Sequence, residues 1–555
     1  MYQKIRIILM NVLIIVCLFS IDLYPINKSK IVFESSISKS NSIDFDLSSS
    51  LEEYDSVCIT TTLNYDKFHY GNRPDETATD AEIEAYRTKL RQAGKMYHSN
   101  RNIAIFKNMG ITDYENKYVS VYTPTIEFKY DKETFINKKD DILSKCSTNS
   151  NISKVYVKGV ESIKNSLSDA IEESNGTEYL ATNQYRGSGI KVGILETNTI
   201  DVNHSNMANI TKTVYDNPWK IDTSDDHATA MASIIAYPDG GIAPGVSIYS
   251  AAVMFGLSDE MDWFIENGVN VINMSFGDAN PDGEYSDWSA VCDYVSYTYY
   301  ITMVAGGGND GQGTGYILNP GLGYNVLTVG WYAGEGNMSS NSSYDEVVGP
   351  EKPNLVTRGG AIIVPNMGNH NGSSISCAVM TGFVACLMSQ YSDLKLYPEK
   401  VIALAMANSH QLSIYESNKS NGLNGTTGAG LFDLAQAANK FSMLQTYTNT
   451  STTYQASTVI NTFNVYLTVG RVVNFSLVWL AKATGEADET EYTSYRMVLY
   501  NGVNQQVATV DCGKSNYMMI QNYEVLTSGT YKVKIYQTSA RPGSANEYVV
   551  LGVGY

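Results

Sequence analysis

Three separated segments carry the residue types that acyl transfer needs. Asn371-Gly372-Ser373-Ser374-Ile375-Ser376-Cys377-Ala378-Val379 sets a Gly-Ser-Ser turn before an apolar helical run reaching about Met388. Asp226-His227-Ala228-Thr229-Ala230-Met231-Ala232-Ser233 sets a histidine at the start of an Ala-rich helix. Lys191-Val-Gly-Ile-Leu-Glu196-Thr-Asn198 ends a short apolar strand in a carboxylate. A serine hydroxyl is a weak nucleophile until a base takes its proton, and histidine does this best near neutral pH. A buried carboxylate then fixes the imidazole tautomer and offsets the charge the ring gains. In a fourth segment, Ile301 to Gly311, an apolar strand runs into a Gly-Gly-Gly turn that presents Asn309. An Asn amide there could donate to a developing oxyanion, a role worth about 10²–10³ in rate. A serine at a helix N-terminus also gains from the local dipole. Other uses of these residues stay open: His227 as a helix cap, Asn309 as a turn residue, His370 as a rival base, Ser373 and Ser376 as rival nucleophiles. Asp225 and Asp226 suit either basic substrate side chains or a solvated acidic loop.

The elements around these segments form an α/β pattern. Residues 192–195, 247–254, 269–275, 301–305 and 326–331 are short apolar runs, most with Gly or Pro nearby. Helical patterns at 228–237, 261–267 and 288–297 separate several of them. That alternation predicts a mostly parallel sheet flanked by helices, with sites at the carboxyl ends of the strands. Upstream, 57–63, 119–130 and 155–157 read as strands, with helices at 80–109 and 132–145. They make a small two-layer α/β unit. Beyond about 445 the apolar runs alternate with turns such as Asn501-Gly502 and Ser528-Gly529, and no helix emerges. A β-sandwich-like unit is expected there. The expected division is a signal peptide over 1–25, a leader and small α/β domain over 26–165, the central α/β domain over 166–442 and the β-sandwich-like domain over 443–555. Residues 26–50, rich in Ser, Asn and Asp, read as a leader or linker.

Composition narrows the class. The chain has 555 residues, too many for one core. Apolar residues make up 43% and charged residues 17%, ordinary for globular protein. The net charge of −18 argues against nucleic-acid binding. Lys4 and Arg6 precede an apolar stretch, 7–19, that is short for a membrane span and reads as an export signal. The seven cysteines, at 17, 58, 146, 292, 377, 386 and 512, show no paired metal-ligand spacing and read mostly as buried thiols.

Taken in order, the motifs resemble the subtilisin-like serine peptidases. Gly372-Ser373-Ser374-Ile375-Ser376 is similar to that family's Gly-Thr-Ser-x-Ala, and His227-Ala-Thr-Ala-Met231 to its His-Gly-Thr-His-Val. Val271-Ile-Asn-Met-Ser-Phe-Gly277, Gly241-Ile-Ala-Pro-Gly245, Lys352-Pro-Asn-Leu-Val356 and Gly428-Ala-Gly-Leu-Phe-Asp433 also have counterparts in it. The chain departs from the pattern at Glu196 (Asp in the family), Ala230 (His) and Ala378 (Pro). The resemblance implies a serine endopeptidase with Ser374 as nucleophile, His227 as base, Glu196 as orienting acid and Asn309 in the oxyanion hole. It implies that Gly306, Gly307 and Gly308 line one wall of the substrate pocket, with Ser275, Phe276 and Gly277 forming the other and Leu318 near the floor. It implies protein or peptide substrates, no required cofactor, a monomer, and an N-terminal unit that aids folding, inhibits and is then cut off, a permanent accessory domain being the alternative for that unit. Structural calcium accompanies many members, but no loop here identifies ligands. The altered acid motivates one other expectation, an inactive peptidase-like surface or binding protein.

Overall fold

The computed structural model describes residues 31–33, 56–63 and most of 70–555. Residues 72, 75–77, 115, 161–183, 217–225, 254–255, 279–282, 312–315, 335, 345, 361, 365, 413–418, 451–457, 484–490 and 542–545 are not among them. The expected signal peptide, most of the expected leader, the stretch 161–183 and Asp225 therefore lie outside the described residues.

The N-terminal unit runs β1 (Ile31–Phe33), β2 (Ser56–Leu63), α1 (Asp80–Met109), β3 (Asn116–Val119), β4 (Thr125–Asp131), α2 (Lys132–Thr148) and β5 (Ile152–Val160). Its sheet has the order β1-β5-β2-β4-β3. Helix α1 starts where the sequence supplies a capping box, Thr79 with Glu82, and stops at Gly110, whose φ of 64° breaks the helix. Two expectations change here. The single strand read over 119–130 is the hairpin β3–β4, interrupted before Pro124, which has no N–H to give a ladder. The leader read over 26–50 contains a strand, with Ile31 opposite Val155 in parallel register. Three apolar residues in a polar run are too few for periodicity to reveal.

The central unit continues with β6 (Lys191–Glu196), β7 (Thr211–Val214), α3 (Asp226–Ala236), β8 (Ser247–Ala252), α4 (Ser258–Asn267), β9 (Val271–Met274), α5 (Asp287–Tyr299), β10 (Thr302–Gly306), β11 (Val326–Gly334), β12 (Asn337–Met338) and β13 (Leu355–Arg358). A hairpin, β14 (Ile362–Val364) and β15 (Gly368–His370), leads into α6 (Ser373–Gln390). Then come α7 (Pro398–Ala407), β16 (Ser409–His410), β17 (Leu431–Phe432) and α8 (Leu434–Lys440). The sheet order is β16-β17-β13-β11-β10-β9-β6-β8-β7, with β12 beside β11. From β17 to β7 every pairing is parallel. Helices α3 and α6 cover one face through Met231, Ile235, Met380 and Phe383. Helices α4 and α5 cover the other through Phe264 and Val295. Buried on both faces, the strands carry unbroken apolar runs rather than alternation. Helix α6 is the one described helix with the length and apolarity of a membrane span, and it is buried in this core.

The chain leaves β6 for β8 on one side and later returns to build β9, β10 and β11 on the other. That reversal opens a crevice at the carboxyl ends of β6 and β9. The C-terminal unit runs from β18 (Gln445–Asn449) through β19 (Val459–Leu467), β20 (Val472–Val478), β21 (Tyr495–Tyr500), β22 (Gln506–Asp511), β23 (Tyr517–Glu524) and β24 (Gly529–Gln537) to β25 (Glu547–Gly554). Two antiparallel sheets, β18-β25-β20-β23 and β19-β24-β21-β22, enclose Phe475, Trp479, Tyr495, Tyr531 and Leu551. Helix α7 joins this sandwich to the central sheet, with Ser476 Oγ donating to the Ala403 carbonyl at 2.7 Å.

Candidate active site

Strand β6 delivers Glu196 to the crevice, where its side chain is buried. Its backbone carbonyl accepts the Val253 N–H at 2.7 Å, so the strand end is fixed. His227 is the second residue of α3, and its Nδ1 lies 3.2 Å from Glu196 Oε2. Of the two ring nitrogens Nδ1 is the one that faces the acid, at ion-pair distance but without hydrogen-bond geometry. Asp201, another carboxylate on the same connection, does not compete. Its Oδ1 accepts the Asn203 N–H at 2.9 Å, and its backbone N–H binds Thr229 Oγ1 at 2.8 Å. The chain after Glu196 is thus tied to α3 by its backbone.

Ser374 occupies the first turn of α6, and residue 372 must be Gly for two reasons. Its φ of 130° is strained for any L side chain, and a Cβ there would come 3.1 Å from the Asn309 side chain. Three serines sit in this turn, and the structure separates them. Ser373 is buried, and its Oγ accepts the Gly308 N–H at 3.0 Å. Ser376 is buried, donating to the Thr357 carbonyl at 3.0 Å. Ser374 is half-buried, and its Oγ donates to the Ser275 carbonyl at 2.9 Å. Ser275 Oγ returns a bond to the Ser374 carbonyl at 2.8 Å.

Asn309 follows the Gly turn after β10. Its Oδ1 accepts the Ser373 N–H at 2.8 Å. A backbone N–H can only donate, so this bond fixes the amide orientation and turns Nδ2 the other way. Helix geometry leaves the Ser374 N–H without an intrahelical acceptor. The Asn309 side chain thus lies beside the Gly372–Ser373 turn that opens α6.

Segments 275–277 and 306–308 stand opposite each other, with Leu318 between them. A Cβ on Gly277 would come 2.5 Å from Leu318, and one on Gly308, at φ 115°, 2.9 Å from it. Phe276 packs edge-on to Trp288. Leu318 is held by its N–H to the Gly307 carbonyl at 3.1 Å.

Cys377 lies one turn into α6, with its thiol at 3.3 Å from both Asn273 Oδ1 and the Val304 carbonyl. Burial pushes that thiol up to about 12, so it stays protonated and packs. The cysteines described as free, at 146, 292, 377, 386 and 512, are all buried. His370 is buried in β15. Sequence reading missed the crossed Ser275–Ser374 bonds and the Asn273 network. Asn273 holds Ser275 Oγ at 2.9 Å and accepts from Thr381 at 3.1 Å. The Asn-Met-Ser segment was visible, but its partners lie about a hundred residues away. Among the described residues no group of three or more His, Cys, Asp or Glu gathers as a metal site.

Residues 187–430, which contain Glu196, His227, Asn309 and Ser374, match the subtilase family model. Subtilisin DY of Bacillus licheniformis is 29% identical over 230 residues, 38% of this chain and 80% of that protein. Subtilisin NAT of Bacillus subtilis subsp. natto is 24% identical over 225 residues, 37% of this chain and 57% of that protein. Among solved structures, the prenylagaramide maturation protease PagA is 22% identical with a TM-score of 0.40, covering 48% of this chain and 98% of its own. A serine protease of Aeromonas sobria is 14% identical with a TM-score of 0.38, covering 68% of this chain and 90% of its own.

Proposed function

Since residues 187–430 belong to the subtilase family of serine endopeptidases, we propose that this chain cuts peptide bonds through an acyl-enzyme on Ser374. The observation that carries the assignment is the 3.2 Å contact between Glu196 and His227 Nδ1. An extended substrate pairs with the edge at 275–277. His227 Nε2 takes the Ser374 proton as Oγ attacks the carbonyl carbon. The oxyanion is held by Asn309 Nδ2 and the Ser374 N–H. Glu196 stabilises the imidazolium, which then protonates the leaving amine, and water releases the acyl group. No cofactor enters these steps.

Asn309→Ala is expected to lower kcat by about 10²–10³ with little change in KM, because the donor acts on the oxyanion rather than on the bound peptide. Steady-state kinetics on one peptide decide this. An unchanged kcat removes Asn309 from the site.

Leu318 supports a preference for small side chains on the acyl side of the cut bond. It fills the slot between Gly277 and Gly308. Leu318→Gly is expected to raise kcat/KM for Phe over Ala at that position by about 10-fold or more, since one methylene in such a pocket is worth about 10–200-fold. Equal preference in both proteins would place the pocket elsewhere.

The N-terminal sequence supports export, and so a secreted or cell-surface protein. The small α/β unit before the peptidase supports synthesis as a precursor. In that reading residues 26–165 aid folding and inhibit the site, and the chain then cuts itself between about 155 and 185. Fluorophosphonate labelling of the purified protein tests the activated serine.

A further inference from the structure

Two residues that the chemistry does not use stand at the edges of the pocket. Asp278 directly follows the wall segment 275–277, and Asn319 directly follows Leu318. Three hydrogen bonds join them: the Asn319 N–H donates to Asp278 Oδ1 at 3.0 Å, Asn319 Nδ2 donates to Asp278 Oδ2 at 2.9 Å, and the Asp278 N–H donates to the Asn319 carbonyl at 3.1 Å. Asp278 is half-buried, and Asn319 is 2% exposed.

The rest of the Asn319 amide is engaged as well. Nδ2 also donates to the Glu284 carbonyl at 2.8 Å, and Oδ1 accepts the Ser286 N–H at 3.1 Å and Ser289 Oγ at 2.6 Å. Ser286 caps α5, and Ser289 lies in its first turn. These partners fix the amide orientation. A backbone N–H can only donate, so Oδ1 faces Ser286; a carbonyl can only accept, so Nδ2 faces Glu284. Nδ2 therefore meets the Asp278 carboxylate as a donor, the stronger kind of hydrogen bond.

The pair completes a frame around Leu318. One side was described above, the Leu318 N–H bonded to the Gly307 carbonyl at 3.1 Å. Asp278 and Asn319 supply the other side, tying the residue after the floor to the residue after the opposite wall. Leu318 already fills the space where a Cβ on Gly277 or Gly308 would stand. A bulky substrate side chain would have to push it out. Asn319 would be carried along, and its buried donors would lose the Asp278 carboxylate, which costs more than the bonds contribute when made.

We infer that Asp278 and Asn319 are positioning residues for substrate selection: their clamp holds Leu318 in the slot and so enforces a small side chain on the acyl side of the cut bond. The inference rests on the pocket reading above and adds the reason the floor does not yield to a larger substrate.

The test exchanges the two side chains. In Asp278→Asn, either orientation of the new amide sets a donor against a donor. In Asn319→Asp, two carboxylates face each other. With both changes a donor meets an acceptor again, roles reversed, and only the bond to the Glu284 carbonyl is lost. Each protein is assayed for kcat/KM on two peptides that differ only in Phe or Ala before the cut bond. The amount of folded enzyme cancels in the ratio, so destabilisation alone does not move it. Each single change is expected to raise the Phe-to-Ala ratio about 10-fold. The double change is expected to return it to within about 3-fold of the parent. Leu318→Gly is measured beside them. If it leaves the ratio unchanged, the pocket reading fails and the clamp with it. If it raises the ratio while both single changes stay at the parent value, the pocket stands and the clamp is wrong. A double change as altered as the singles also overturns the clamp. Should Asn319→Asp not fold, Asp278→Asn, which alters one group at a half-buried site, decides alone.

Discussion

Ser374→Ala is expected to lower peptide hydrolysis by about 10⁵–10⁶-fold and to leave the precursor uncut between about 155 and 185. The size of the loss follows from what surrounds the residue. Neither neighbouring serine can replace it, since Ser373 Oγ is committed to the Gly308 N–H and Ser376 Oγ to the Thr357 carbonyl. A residual rate above water, about 10³–10⁴, is expected from the oxyanion donors and substrate binding. The check is a peptide assay alongside the chain length made in a host without other proteases. Normal maturation of the variant would show that another enzyme makes the cut.

Glu196→Gln should lower kcat by about 10³–10⁴ while leaving KM and folding nearly unchanged. The amide keeps the shape of the side chain at the end of β6. It removes the charge that offsets the imidazolium, and its NH₂ can face Nδ1 and favour the wrong tautomer. Glu196→Asp should fall between the two, because withdrawing one methylene lengthens the 3.2 Å contact unless α3 moves. The fixed end of β6 and the Asp201–Thr229 bond both resist that movement. Kinetics of the three proteins on one substrate settle the order. Full activity in Glu196→Gln would send the search to Asp225, since the Asp201 carboxylate is occupied locally by Asn203.

The site was legible in the sequence where its chemistry is local. Gly372-Ser373-Ser374 announces a turn into a helix, His227 opens an Ala-rich helix, and Glu196 ends an apolar strand; each is settled within a few residues. Helix α1 was likewise readable over 80–109, because Ala81, Ile83, Tyr86, Leu90 and Ala93 recur at helical spacing. What stayed hidden depends on residues far apart in the chain. The Ser275–Ser374 bonds join positions 99 residues apart, and the buried Arg73–Glu399 ion pair joins positions 326 apart. No periodicity encodes such meetings. Strand β1 was missed because three residues give no period, and 119–130 read as one strand because the short break between β3 and β4 leaves no strong signal in the apolar pattern.

The claim that Ser374 is an activated nucleophile is tested most directly by labelling with a fluorophosphonate and mapping the modified peptide. Only a serine whose proton is taken by a positioned base reacts at a useful rate. The expected result is a single adduct on Ser374 in the wild-type chain, absent from Ser374→Ala and formed much more slowly in Glu196→Gln. A folded wild-type chain that takes no label, or that carries it on Ser373 or Ser376, would contradict the assignment.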